Sequence, residues 1–176
     1  HRSVVNLLDA LEDTVYAGCG PGLVVTLNAP LFFDASVKMW VQLLKGRALC
    51  VVPEEAHLDA DRMLALLRRH RVDVLDCTPT QLRLLLDQGL GTADVPLSRV
   101  LVGGEAIDAA TWTRLASFPR IAFYNLYGPT ECTVDATACR VESGAPSIGR
   151  PLANVQVHVL DTRRNPVPVG AAGELY

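Results

Sequence analysis

The residues of this chain best suited to chemistry lie in the segment 124–131, which reads YNLYGPTE. An apolar run over 121–126 predicts a buried strand, and the Gly-Pro pair that follows it predicts a turn. Thr130 and Glu131 then supply a hydroxyl and a carboxylate, which suit a phosphate group and a hard cation such as Mg²⁺. Because ligands of open α/β sheets bind outside the carboxyl ends of the strands, we expect a site here. A strand that ends in an ordinary solvated turn is the alternative that these few residues leave open.

Helix-like and strand-like segments alternate along the chain and must position these side chains. Apolar runs predict strands over 23–27, 48–52, 72–75, 100–102 and 121–126. Apolar periodicity and start signals predict helices over 2–11, 35–44, 59–69 and 78–88, and a further helix after Asp108. The alternation, the short connections and the nearly continuous apolar strands predict an α/β fold. We expect an open, mainly parallel sheet with helices on both faces, as in flavodoxin.

Polar residues mark the ends of the predicted helices. The expected N-cap residues are Asp34, Asp59, Thr78 and Asp108. Gln81 lies three residues after Thr78 and would complete a capping box. Gly46 is expected to end the helix 35–44 in a left-handed conformation.

The pattern changes after about residue 137. The segment 155–160 nearly alternates, 161–166 predicts a turn and 173–176 predicts a further strand. We therefore expect an α/β subdomain over 1–140 and a short β-rich segment over 141–176 that begins a second subdomain.

Composition excludes several classes of protein. Of the 176 residues, 49% are hydrophobic and 20% are charged, which indicates a globular chain and not a disordered one. The net charge of −3, with acidic and basic residues interleaved, argues against a nucleic-acid partner. No apolar run reaches the ~18 residues that a membrane span needs, so no membrane partner is expected. The cysteines are odd in number and lack C-x-x-C spacing, so we expect the reduced thiols of a cytoplasmic protein.

The stretch NLYGPTE over 125–131 resembles the signature of the adenylate-forming enzymes, in particular the adenylation domains of nonribosomal peptide synthetases. Three further stretches agree in the family's order: FDAS at 33–36, LVGGEA at 101–106, and IGRPL at 148–152 with GELY at 173–176. The resemblance implies that an amino acid and ATP form an aminoacyl-adenylate and pyrophosphate. The aminoacyl group then passes to the phosphopantetheine thiol of a carrier protein. It also implies neighbouring synthetase domains, an MbtH-like helper protein in some members, and a role in the biosynthesis of antibiotics and other secondary metabolites.

The resemblance also implies an ATP site. The residues it assigns to ATP are Gly104, Glu105, Ala106, Asn125, Tyr127, Gly128 and Thr130. The glycine-rich segment would lie against one face of the adenine and the Tyr127 ring against the other, while Asn125 or nearby backbone would meet the adenine amino group. Thr130 would contact the α-phosphate and Glu131 would hold Mg²⁺. Such a reaction needs placement and charge neutralisation more than a nucleophilic side chain.

The amino-acid pocket is implied in the same way. Its lining positions are Asp34, Ala35, Lys38, Asp76, Leu101, Gly103, Leu126, Val134 and Asp135. This set resembles the pockets of glutamate- and glutamine-activating domains, and departs from them at Leu126, where a smaller Val is usual. In the family the Asp at position 34 binds the α-ammonium of the substrate. Lys38, Asp76 and Asp135 are then left to contact the side chain of the substrate.

Charge counting in this pocket leaves the substrate open. A buried ammonium is costly, so Lys38 is expected to be paired. Two carboxylates, Asp76 and Asp135, already outnumber one Lys, which favours glutamine or the protonation or outward turning of one Asp. Following the resemblance, we rank glutamate first and glutamine second.

Three parts of the family pattern are absent from the 176 residues: a phosphate-binding loop before His1, a ribose-binding Asp beyond Tyr176, and a C-terminal lobe with a catalytic Lys. We therefore expect the chain to be part of a larger enzyme and to be inactive or nearly so alone. One alternative is an acyl- or aryl-acid ligase of the same superfamily, against which Asp34 argues because such substrates have no ammonium. The other is a non-catalytic, flavodoxin-like nucleotide-binding module.

Overall fold

The computed structural model describes residues 1–91 and 94–176, and in it helices and strands alternate as far as β5. The helices are α1 (Arg2–Thr14), α2 (Val37–Trp40), α3 (Glu54–His57), α4 (Ala60–Arg69), α5 (Pro79–Asp87) and α6 (Ala109–Ala116). The strands are β1 (Val24–Leu27), β2 (Ala48–Val51), β3 (Val74–Cys77), β4 (Arg99–Gly103), β5 (Ala122–Tyr127), β6 (Thr137–Arg140), β7 (Arg150–Pro151), β8 (Val159–Leu160) and β9 (Glu174–Leu175). Three-residue-per-turn helices cover Asp34–Ser36, Val41–Lys45 and Thr130–Cys132.

A mixed sheet organises the described residues, with strand order β2-β1-β3-β4-β5-β6-β7. The strands β1 to β5 run parallel, whereas β6 and β7 are antiparallel to their neighbours. Strands β8 and β9 form a separate small antiparallel pair. The predicted fold class, a mainly parallel sheet followed by a β-rich end, is confirmed. Strand β7 of the main sheet falls within 141–176, and the division into subdomains at residue 140 stays a prediction.

Helices cover both faces of the sheet, and each face has its own apolar core. On one face α4 and α6 bury residues such as Leu67 and Leu115, which pack in one cluster. On the other face α1 and α2 bury Leu11 and Met39 in a second cluster. Burial on both faces explains why the central strands are apolar nearly throughout.

Most of the predicted helix ends are confirmed. The side chains of Asp59, Thr78 and Asp108 each accept a hydrogen bond from the backbone N–H three residues later. Gly46 follows the helical segment with φ of 73°, the left-handed conformation that glycine adopts without steric cost. The capping box is wrong in one respect, because Gln81 does not return its side chain to Thr78 and donates instead to the carbonyl of His57.

Asp34 is not the cap that the sequence predicts. The capping position belongs to Phe33, and Asp34 is itself the first residue of the three-residue turn, without a side-chain cap bond. The predicted helix 35–44 is also not a single α-helix, because only Val37–Trp40 is α-helical between two tighter turns. The Asp34 carboxylate is therefore not committed to capping the helix.

Two strand predictions need correction. The strand predicted over 72–75 is Val74–Cys77, because the N–H of Val72 is bonded to the carbonyl of Leu67 at the end of α4. Asp76 thus lies inside a strand and not after it. In the tail, the alternating segment 155–160 contributes only Val159–Leu160 to a strand.

Composition also predicted reduced cysteines and no membrane span. The side chains of Cys19, Cys50, Cys77, Cys132 and Cys139 are free thiols, as predicted. Within residues 1–91 and 94–176, no helix is both long enough and apolar enough to cross a membrane.

Candidate active site

A cavity of about 650 Å³ opens at the carboxyl ends of β1, β3, β4 and β5, and is called here the main cavity. The predicted amino-acid positions that line it are Asp34, Ala35, Lys38, Asp76, Gly103, Leu126, Val134 and Asp135. The predicted nucleotide positions that line it are Gly104, Glu105, Gly128 and Thr130. Segments far apart in sequence therefore meet at the edge where parallel strands end, as the fold class requires.

A few predicted positions lie beside this cavity and not in its lining. Leu101 is fully buried in the core, in the same cluster as Leu126. Side chains of successive strand residues point to opposite faces, so Asn125 and Tyr127 lie on the other side of β5 from Leu126. Asn125 is 8% exposed and donates its Nδ2 to the carbonyl of Ser147. The Tyr127 ring is 44% exposed, which leaves an aromatic face for stacking.

The glycine-rich turn after β4 is anchored to the start of α5. The Glu105 carboxylate accepts hydrogen bonds from Thr80, from its N–H at 3.2 Å and from its hydroxyl at 2.6 Å. Ala106, next in the chain, is exposed. Gly104 has φ of 83°, so a side chain here would strain the backbone at the turn. This turn presents backbone to the cavity.

Lys38 and two aspartates form a buried ionic cluster in the main cavity. Lys38 Nζ lies 3.0 Å from Oδ1 of Asp76 and 3.6 Å from Oδ1 of Asp135. These residues are 4%, 6% and 5% exposed, so water screens their charges poorly. The expectation that Lys38 is paired is confirmed.

Burial and mutual attraction both shift the protonation of this cluster. Burial alone would lower the pKa of Lys38, but the carboxylates of Asp135 and Asp76 outweigh it and raise that pKa. Burial raises the pKa of Asp76, and the nearby ammonium opposes this only in part. Burial likewise raises the pKa of Asp135. The negative charge of Asp34 raises it further, whereas the Lys38 ammonium lowers it in part. One ammonium therefore does not compensate the carboxylates around it.

A second buried network fixes the turn that carries Lys38, and it was not foreseen from the sequence. Gln42 donates its Nε2 to the carbonyl of Lys38 at 2.8 Å and accepts a hydrogen bond from Arg47. Arg47 also donates to both carboxylate oxygens of Glu12 in α1, at 2.9 and 2.7 Å. Its guanidinium lies 3.9 Å from the centre of the Tyr16 ring. The sequence feature that could have indicated this network is Arg47, a charged residue directly before the apolar strand β2.

Asp135 enters the cavity from an unusual stretch of backbone. Thr133 and Val134 both have left-handed φ values, 63° and 71°, which is rare for a β-branched residue. The N–H of Asp135 donates to the carbonyl of Thr133 at 2.9 Å. Gly128 lies so close to this stretch that a Cβ would be 2.6 Å from the Val134 carbonyl. The sequence 128–135 therefore folds back tightly and turns the Asp135 side chain inward.

Asn28 lines the main cavity and was also missed. Its Nδ2 donates to the carbonyl of Asp76 at 2.9 Å and to Oε1 of Gln81 at 2.6 Å. Gln81 in turn donates to the carbonyl of His57. The partners lie about 50 residues away in the chain, so no local pattern indicates them.

Glu131 lies in an adjoining space of about 580 Å³, called here the side cavity. The side cavity is bordered by the start of α1, the turn at 131–133 and the loop at 152–155. Asp135 lines both spaces and so stands in the wall between them. Among the described residues, no cluster of three or more His, Cys, Asp or Glu could by itself hold a metal ion. A cation here would need ligands from the substrate as well.

Comparison with known proteins identifies relatives along the whole chain. The AMB antimetabolite synthetase AmbE of Pseudomonas aeruginosa is 51% identical over 179 residues, which cover 100% of this chain and 8% of that protein. Bacitracin synthase 1 of Bacillus licheniformis is 38% identical over 99% of the chain and 4% of the synthase. The chain thus spans less than a tenth of the length of these relatives.

Solved structures also match nearly the whole chain. A four-domain nonribosomal peptide synthetase, holo-AB3403 bound to AMP and glycine, matches 98% of this chain and 13% of its own, with a TM-score of 0.86 and 30% identity. The N-terminal subdomain of Klebsiella oxytoca NpsA, in complex with 3-hydroxybenzoyl-AMSN, matches 99% of this chain and 45% of its own, with a TM-score of 0.81. At 22% identity, that second likeness concerns the fold alone. The family described as "AMP-binding enzyme" has a model that matches residues 1–176, and the chain therefore belongs to the family of AMP-binding enzymes.

Proposed function

We propose that this chain is the part of a nonribosomal peptide synthetase adenylation domain that holds the amino acid and much of the ATP. The observation that carries the proposal is the main cavity, where Asp34 and the Lys38 cluster share one space with Gly104 and Thr130. A carboxylate for an ammonium and a glycine turn for a nucleotide thus lie side by side. The names of the similar synthetases and the AMP and glycine bound in the four-domain structure support the same reading.

ATP would bind along the ends of β4 and β5. The exposed ring of Tyr127 would stack on one face of the adenine, and the backbone at Gly104 would approach the other face. Asn125 already donates through Nδ2 to Ser147, so its Oδ1 is the atom suited to accept from the adenine amino group. Thr130, at the mouth of the main cavity, would donate its hydroxyl to the α-phosphate.

The reaction would be attack of the substrate carboxylate on the α-phosphorus, with release of pyrophosphate. Glu131 is exposed at the side cavity, next to the position of Thr130, and can reach an ion held against phosphate. Mg²⁺ is commonly bound by one or two carboxylates together with substrate phosphates, so a single Glu fits this ion. When bound, Mg²⁺ would neutralise charge on the phosphate oxygens. The protein's own part is to hold the two reacting groups together and to exclude water.

The amino acid would lie with its α-ammonium at Asp34 and its side chain toward the Lys38 cluster. A carboxylate that loses its cationic partner is penalised, so Asp34 would reject acids without an α-ammonium. An ammonium flanked by carboxylates suits a polar side chain of moderate length, and we rank glutamate first and glutamine second. Leu126 narrows the space relative to a smaller Val. Gly103 pairs with Leu126 across β4 and β5, and a Cβ at Gly103 would lie 3.0 Å from the Leu126 carbonyl, so the close pairing of these strands favours glycine here.

The remaining steps belong to the whole synthetase. We propose that the aminoacyl group is transferred to the phosphopantetheine thiol of a carrier protein, in the cytoplasm, with neighbouring synthetase domains as partners. Similar proteins named as antimetabolite and bacitracin synthetases support a role in secondary metabolism. An MbtH-like protein is a further partner that some adenylation domains use.

Amino-acid-dependent exchange of pyrophosphate into ATP by the complete parent enzyme tests this function. We expect exchange with glutamate, weaker exchange with glutamine and little with apolar amino acids. An Asp34→Asn variant should lose most of this exchange, because the amide cannot replace the charge that pairs with the α-ammonium. Exchange driven by an aryl or acyl acid would instead identify an acid ligase. A protein that binds nucleotide without any exchange would be a non-catalytic module.

A further inference from the structure

We propose that Asp135 binds the substrate side chain as a neutral carboxylic acid, so that glutamate is accepted only while this residue is protonated. The inference rests on the proposed function, because it concerns the side chain that the main cavity would hold.

The two aspartates are not equivalent partners of Lys38. Asp76 lies at hydrogen-bond distance from the ammonium, 3.0 Å, whereas the nearest oxygen of Asp135 is 3.6 Å away. At that distance a hydrogen bond is not formed, although the charges still interact. Asp76 is therefore the ion-pair partner of Lys38, and Asp135 is the carboxyl group without an equally close cation.

The other oxygen of Asp135 is more isolated still. Oδ2 is buried and has no hydrogen-bond partner among residues 1–91 and 94–176. An ionised carboxylate that is nearly fully buried and accepts no close hydrogen bond is unstable, whereas a neutral acid is tolerated far better. A proton on Oδ2 would also make this atom a hydrogen-bond donor in the wall of the main cavity.

The backbone supports a functional role for this side chain. Thr133 and Val134 are held in left-handed conformations directly before Asp135. Such strain persists only where the surrounding structure enforces it, and it is concentrated at functional sites. The two strained residues directly precede Asp135, whose side chain lines both the main cavity and the side cavity.

The charged and titratable groups around Asp135 favour the neutral form. Lys38 is the nearest cation, but it is already paired with Asp76. The negative charge of Asp34 further disfavours ionisation of Asp135. The other ionisable residues that line the two cavities with Asp135 are Arg2, Glu131, Cys132, His57, Cys77 and Glu105. Burial and the negative charge of Asp34 raise the pKa of Asp135, and the Lys38 ammonium opposes this only in part.

Glutamate and glutamine would respond differently to this proton. The glutamate side-chain carboxylate would accept hydrogen bonds from Lys38 and from the protonated Oδ2 of Asp135. If Asp135 were ionised, two carboxylates would meet in a buried site and repel each other. Glutamine can adapt, because its amide nitrogen donates to an ionised Asp135 while its oxygen accepts from Lys38. Rising pH should therefore act against glutamate alone.

The test is the ratio of kcat/KM for glutamate to that for glutamine, measured by pyrophosphate exchange with the complete parent enzyme. Taking the ratio cancels pH effects common to both substrates. Above the pKa of Asp135 the ratio should fall by up to about tenfold per pH unit, the limit for loss of a single proton. A constant ratio from mildly acidic to mildly basic pH would overturn the proposal.

Two variants sharpen the test. Asp135→Asn keeps a donor and an acceptor but cannot ionise, so its ratio should be independent of pH even if its absolute rates are lower. Asp61→Asn removes one carboxylate from the exposed first turn of α4, and its ratio should follow that of the wild type. A pH-dependent ratio that survives in Asp135→Asn would assign the proton to another group and overturn the proposal.

Calorimetry of the wild-type parent domain provides a check that needs no variant. At a pH above the pKa of Asp135, binding heats measured in two buffers of different protonation enthalpy should show greater proton uptake with glutamate than with glutamine. Equal uptake would contradict the proposal. If the enzyme activates other amino acids and neither of these two, the proposed substrate fails and this inference with it. If both are activated at a constant ratio, only the protonation of Asp135 fails.

Discussion

Lys38 Nζ lies 3.0 Å from Asp76 Oδ1, and both side chains are more than nine-tenths buried. The pair joins a short helix after β1 to the inside of β3, so it links two walls of the main cavity. A buried pair of this kind is weak evidence for stability, but removal of either partner would leave a costly buried charge.

Replacing Lys38 by Ala should remove the preference for glutamate. Stripping one partner from a buried charged pair costs about 2–5 kcal/mol, and we expect selectivity for glutamate over glutamine to fall by this order. Pyrophosphate exchange by the parent enzyme with both amino acids measures the change. Lys45→Ala is the matched control, because Lys45 pairs with Asp9 on the surface and should not affect selectivity. An unaltered preference in Lys38→Ala, or a wild-type preference for a large apolar amino acid, would show that the pocket is wrongly assigned.

Replacing Glu131 by Gln should slow adenylation by ~10²-fold or more, the scale expected for a lost electrostatic contact in the transition state. The residue is exposed, so the free energy of unfolding should change little. Single-turnover formation of aminoacyl-adenylate at several Mg²⁺ concentrations measures the effect. Glu142→Gln removes an exposed carboxylate from the loop after β6 and serves as the control. Wild-type turnover in Glu131→Gln would show that this Glu is only a solvated turn residue.

The raised pKa of Asp135 predicts the pH dependence of stability. Between its ordinary pKa and the raised value in the folded protein, the folded state binds more protons than the unfolded state. The free energy of unfolding should therefore fall as pH rises through this window. In Asp135→Asn the fall should be smaller, because the amide does not titrate. Urea unfolding of the parent domain at a series of pH values checks this, and an equal slope in both proteins would contradict it.

Replacing Gly128 by Ala should destabilise the fold, because the new Cβ would lie 2.6 Å from the Val134 carbonyl and from the Ala136 nitrogen. Relief of such overlap requires backbone movement and costs about 1–3 kcal/mol. The Asp135 side chain should move with it, so kcat/KM should also fall. At Gly20 an added Cβ meets nothing within 4 Å, so Gly20→Ala is the control. Urea unfolding compares the two variants, and equal stability would show that the 128–135 turn adapts freely.

The sequence predicted the fold well because its signals are local. Apolar strands alternated with helices whose first residues, such as Asp59 and Thr78, form the expected caps. The edge of the sheet that carries the site followed from topology alone. Where the prediction failed at β3, the strand begins later because the N–H of Val72 bonds to the Leu67 carbonyl. Asp76 therefore lies within β3, where its charge is paired with Lys38, and hydropathy cannot show this pairing.

The candidate site was predicted in part for the same reason. Motifs indicated which residues line the main cavity, and the structure brings most of them together. The pairing of Arg47 with Glu12 could not be predicted, because the two residues are 35 positions apart and nothing local connects them. The hydrogen bonds of Asn28 to β3 and α5 were invisible for the same reason.

The antiparallel pairing of β5 with β6 makes the segment between them the loop of a hairpin, closed where Tyr127 pairs with Thr137. This one loop carries the proposed phosphate contacts, Thr130 and Glu131, and also the side-chain contact Asp135. Exchanging the hairpin between synthetases would therefore move the proposed Thr130 and Glu131 contacts together with Asp135. Substrate choice would not follow unless the host also supplied a lysine opposite Asp135, since that partner is encoded almost a hundred residues earlier. The two proposed phosphate contacts are thus encoded in one segment, whereas the proposed contacts to the substrate side chain are divided between two distant segments.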